Sequence, residues 1–132
     1  MRNKLCLGLV FLLVMMLTGC MSAAEKEAIE KQIKAQVDEV VTAVNSGKKA
    51  EDFKKLATEP KYYVFIMEQS GNFLFHPSSG GLNLNSKSDK EIYSALMRAT
   101  TEGLWVDYWY INYTKHVYVK KTKGGLIVAS GV

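Results

Sequence analysis

From Leu104 to Lys121 the chain reads LWVDYWYINYTKHVYVKK, and the reading of this stretch decides the fold. In an extended segment, Val106, Tyr108 and Tyr110 fall on one face and Trp105, Asp107 and Trp109 on the other. The β-branched and aromatic content predicts two strands, Leu104–Ile111 and Lys115–Lys121, separated by Asn112–Thr114. A third, LIVASGV (Leu126–Val132), follows Thr122–Gly125. Upstream, YYVFIME (Tyr62–Glu68) and NFLFH (Asn72–His76) read as two more strands. The turn residues Gln69-Ser70-Gly71-Asn72 join them, and Pro77 closes the second.

The rest of the pattern is helical. Ile29, Ile33, Val37, Val40 and Val44 recur three or four residues apart, which predicts one amphipathic helix over Ala23–Asn45. Glu27/Lys31 and Glu30/Lys34 are i,i+4 pairs on its wet side, and Asn45-Ser46-Gly47 supplies the stop. A shorter helix is expected over Ala50–Ala57, with Phe53, Leu56 and Ala57 inward and Pro60 ending it. After the loop PSSGGLNLNSK, Ser88 and Glu91 have capping-box spacing and open a helix that turns Ile92, Leu96 and Ala99 inward before Gly103. The order helix, helix, strand, strand, helix, strand, strand, strand, with hairpin-length links, predicts an α+β domain. Its expected form is a five-stranded antiparallel sheet with the long first helix on one face and the central helix on the other.

The first residues set a location. Arg2 and Lys4 precede an apolar run from Leu5 to Leu17, the layout of a secretory signal and shorter than the ~20 residues of a comfortable membrane span. Thr18-Gly19-Cys20 then resembles the lipobox of bacterial lipoproteins. That resemblance implies cleavage before Cys20, acylation of its thiol (diacylglycerol, palmitate-type chains) and a membrane partner reached through the lipid. Met21, in place of an aspartate, points to the periplasmic side of an outer membrane where the cell has one. The expected division is 1–19 signal peptide, 20–60 helical segment and 61–132 sheet domain, the last two forming one globular unit.

Cleavage leaves 113 of the 132 residues, enough for one domain with a core. It removes Cys6 and engages Cys20, so no thiol remains for a disulfide, a metal or catalysis. It also removes Arg2 and Lys4, leaving fifteen cations against thirteen carboxylates and Arg98 as the sole arginine. Nucleic acid is not an expected partner. With two histidines, no HExxH and no G-x-S-x-G, neither an enzyme nor a metal or other cofactor is expected.

The residues YYVFIMEQSGNFLFHP, GLWVDYWY, KHVYVK and GGLIVASGV, in that order, resemble a single Cache domain. These are PAS-like extracellular sensor domains of bacterial chemoreceptors and histidine kinases. The resemblance spans about residues 61–132 and implies a pocket between the sheet and the loop and helix after the second strand, with small carboxylates or amino acids as ligands. It puts the Tyr108 face toward that pocket and the Trp face toward the long helix. His76, Tyr108, Tyr110, Lys115 and Tyr118 are its candidate ligand-binding residues. Tyrosines offer an apolar body with one hydroxyl, and a bound carboxylate needs a cation. The same residues also read as core aromatics, a loop-fixing histidine and an edge lysine, while Lys120, Lys121 and Lys123 read as solubility or headgroup contacts.

Receptors of this family carry membrane segments and a cytoplasmic output. The expectation here is a tethered binding domain without one, serving as accessory to a signalling receptor. The alternative is a structural or interaction lipoprotein of the envelope without a ligand, its pocket filled by tyrosines and its long helix forming a homodimer.

Overall fold

The computed structural model describes residues 21–59, 61–77, 83–85 and 89–132. The lipobox with Cys20, the helix stop at Pro60 and the cap at Ser88 lie outside them. Helix α1 spans Ala23–Asn45, as its periodicity predicts. A capping box fixes its start: the Ser22 hydroxyl accepts from the Glu25 N–H and the Glu25 carboxylate accepts from the Ser22 N–H. The segment expected as a second helix is a 3₁₀ helix, Ala50–Thr58. Strands β1 (Val64–Met67) and β2 (Phe73–Phe75) follow, then α2 (Lys90–Leu96), β3 (Leu104–Tyr110), β4 (Tyr113–Lys121) and β5 (Ile127–Gly131). The β3–β4 link is tighter than expected: Tyr110 pairs with Tyr113, so the loop is Ile111-Asn112. No helix of the described residues is long and apolar enough to cross a membrane.

The five strands form one antiparallel sheet in the order β2-β1-β5-β4-β3, with the last strand at its centre. The central strands are covered on both faces, which explains why β1 and β5 are buried along their whole length. On one face Phe65, Met67, Val106, Tyr108, Val117, Val119, Ile127 and Ala129 pack with Leu96 of α2 and with Leu84. On the other, Val64, Ile66, Tyr118 and Val128 pack with Ile33, Val37, Val40 and Val41 of α1. The protein is therefore a long N-terminal helix on a PAS-like five-stranded sheet. Ile29 and Val44 pack against that second cluster too, so the full α1 stripe lies on the chain's own sheet.

Candidate functional site

A cavity of about 200 Å³ lies between the first face of the sheet and α2. At ~30 Å³ per water it holds a ligand of only a few non-hydrogen atoms, below the usual range for drug-sized molecules. Strand alternation supplies its walls. Tyr108 and Lys115 are directly opposed across β3 and β4, Tyr110 is two residues beyond Tyr108, and Phe65 and Phe73 come from β1 and β2. Tyr63 just before β1 and His76 just after β2 complete the polar side, while Asp89, Ile92 and Leu96 come from the α2 region.

Residues 83–85 are held against the β1–β2 turn. Gly71, at φ 94°, leaves no room for a Cβ, which would lie 2.9 Å from both Asn83 Oδ1 and Asn85 N. Asn83 donates to Asn72 Oδ1 at 2.7 Å, which seats Leu84 under the cavity. The Tyr93 hydroxyl donates to the Gln69 carbonyl at 2.7 Å and ties α2 to the same turn.

Lys115 is the unusual group. It is only 6% exposed, and its ammonium donates to the Tyr63 hydroxyl. The ammonium also lies 4.6 Å from the Tyr63 ring centroid and 5.6 Å from that of Tyr110. Among the described residues no carboxylate forms an ion pair with it, and residues 78–82 and 86–88 contain no acid. Burial lowers its pKa. His76 sits among the rings of Tyr63, Phe65 and Phe73. Burial, with Lys115's charge second, lowers its pKa to about 4, so the ring is neutral at pH 7. Burial also raises the Tyr63 and Tyr108 hydroxyls, which remain protonated donors. The cavity thus offers one buried cation, a neutral imidazole and phenolic hydroxyls to an anion.

Four of the five candidates, His76, Tyr108, Tyr110 and Lys115, line this cavity, and Tyr118 does not. It pairs with Trp105 and belongs to the α1 face, its hydroxyl 3.4 Å from Asp38 Oδ1 and 3.3 Å from the Glu102 carbonyl. The reason is parity: Lys115 and Tyr118 are three apart on one strand and must point to opposite faces. Gly103, at φ 85°, makes room for Tyr118, since a Cβ there would meet its hydroxyl at 2.0 Å. Lys120, read as a solubility charge, pairs with Asp38 at 2.9 Å. Tyr63 and Asp89 were missed. Tyr63 was legible as the residue two before Phe65 on the same face, whereas Asp89 carries no such signal.

A larger hollow of about 440 Å³ lies between α1 and the 3₁₀ helix, but most of its polar groups are exposed. Among the described residues no group of three or more His, Cys, Asp and Glu side chains is placed to hold a metal ion.

No family model matches the chain, and no curated protein does. Among solved structures, it is similar to a methyl-accepting chemotaxis protein from Vibrio parahaemolyticus, at 19% identity and a TM-score of 0.55. The match covers 81% of this chain and 89% of that one. The likeness is one of fold.

Proposed function

We propose that the chain is a lipid-anchored, extracytoplasmic Cache-like domain that binds a small organic carboxylate or amino acid in the cavity around Lys115. Cys20 carries the anchor, and a signalling receptor is the partner to which the bound domain is presented. The observation that supports this reading is the buried Lys115 ammonium without an ion pair among the described residues. A buried charge is stable only when paired or well hydrogen-bonded, and a bound carboxylate would complete it. Tyr63 and Tyr108 would add hydroxyl donors. Asp89 on the same wall is the group that would separate an amino acid, with its amine, from a plain carboxylate.

The experiment is a thermal-shift screen of the chain from Met21 onward against small carboxylates and amino acids. A ligand at 100 times its Kd adds ~2.7 kcal/mol of stability. Lys115→Met keeps the stem and removes the charge. The variant should fold with stability within ~1 kcal/mol of the parent, and lose roughly tenfold or more in affinity with the charged hydrogen bond. If no ligand stabilises the protein, or if Lys115→Met responds as the parent does, the reading of a ligand-free structural lipoprotein takes its place.

A further inference from the structure

The large apolar side chains that stand exposed among the described residues are Met21, Trp109, Ile111, Tyr113 and Val132. They gather at one end of the molecule. Helix α1 runs alongside β4: Asp38 meets Lys120 at 2.9 Å, and Glu30 meets His116 at 3.3 Å. From Glu30 back to Ala23 is ~10 Å of helix, and from His116 back to Tyr113 is ~10 Å of strand. The start of α1 and the β3–β4 hairpin tip therefore reach the same level. Met21, Lys26, Thr114 and Val132 line one surface hollow there, which confirms the juxtaposition.

The tip itself is built against its own conformational interest. Ile111 opens the two-residue loop at φ 55° and is 79% exposed. A positive φ is an outlier for a β-branched residue, and glycine or asparagine is the usual occupant of such a loop position. Neither the turn nor the core calls for isoleucine here. Strand parity puts Trp109 (56% exposed) and Tyr113 (45%) on opposite faces just behind it, so the hairpin ends in an apolar wedge. In the sequence the apolar run Leu5–Leu17 joins the fold through Met21, at this same end.

We propose that the Trp109-Ile111-Tyr113 hairpin tip is a second membrane contact, with Ile111 entering the lipid surface and the two aromatic rings lying at headgroup level. Trp and Tyr favour that level because they have an apolar body and a polar edge. A lone tether leaves a domain free to tumble, whereas two contacts fix which end faces the bilayer. The orientation in the cell rests on the reading of Cys20 as the anchor; the affinity of the tip for lipid does not.

The test uses the chain from Met21, which contains every described element, held by an N-terminal hexahistidine tag on vesicles of phosphatidylethanolamine and phosphatidylglycerol doped with a nickel-chelating lipid. Trp105→Phe leaves Trp109 as the sole tryptophan. Its emission should shift to the blue on tethering and be quenched by lipids brominated near the headgroup. Ile111→Asp should abolish both effects. Ile111→Gly should lose most of the quench while melting at a higher temperature, because glycine relieves the positive φ. Emission unchanged between free and tethered protein would overturn the proposal, as would full quenching retained in Ile111→Gly. A blue shift that grows with protein concentration without vesicles would instead assign the wedge to a second copy. Because the tag replaces the lipid, these outcomes are independent of whether Cys20 is acylated.

Discussion

Burial holds the His76 imidazole at about 4 against its ordinary 6.5, and the charge of Lys115 adds to the effect. The folded pKa lies below the unfolded one, so the unfolded chain takes up its proton first as pH falls. The stability that His76 contributes is complete above about pH 6.5 and is lost as pH drops toward 4. Thermal melts across this window should show a falling Tm in the parent. His76→Phe, which keeps a ring against Tyr63 and Phe73, should flatten part of that slope. An identical slope in the variant would mean that the ring is solvated. At this scale the sequence was only partly legible: residue type singled out Lys115 and His76, but Lys115 reads as an edge lysine until its neighbours are known. Tyr118 was a failure of parity rather than of information, since alternation along one strand cannot put both Lys115 and Tyr118 on the same face.

Helix α1 bears on assembly. Its stripe has near-heptad spacing, and such spacing serves a second helix or a flat sheet equally well. Here Ile33, Val37 and Val40 are buried against β1, β4 and β5, and Ile29 and Val44 pack beside them. The chain from Met21 is therefore expected to sediment as a monomer at micromolar concentration. A concentration-dependent dimer that survives Ile111→Asp would show that another face of α1 pairs. The helix bounds were readable because the apolar period runs out at the Asn45-Ser46-Gly47 stop, while the Ser22 capping box at its start emerged with the structure. The 3₁₀ helix was not, since nine residues with three apolar positions carry too little period to separate 3₁₀ from α.

At the scale of the molecule, the anchor and the fold are separate questions. Every described element lies within Ala23–Gly131, so removing lipidation should leave the domain folded. Cys20→Ala in the full chain should release the protein from membranes or leave it unprocessed. Processing followed by continued partition into detergent would remove Cys20 as the anchor. The likeness to the chemotaxis protein concerns the arrangement of helices and strands.

What the sequence by itself determined is the class of fold, because strand period, helix period and turn residues are local properties that agree with one another along the chain. It also determined which residues of β3 share a face, since alternation is strict once a strand is known, whereas the resemblance supplied which of the two faces looks toward the cavity. The order β2-β1-β5-β4-β3, with the final strand in the middle, was decided only in three dimensions. So was the meeting of Tyr63 with Lys115, fifty-two residues apart. Contacts of that kind depend on which edges pair, and a one-dimensional pattern marks the faces of strands but not their neighbours.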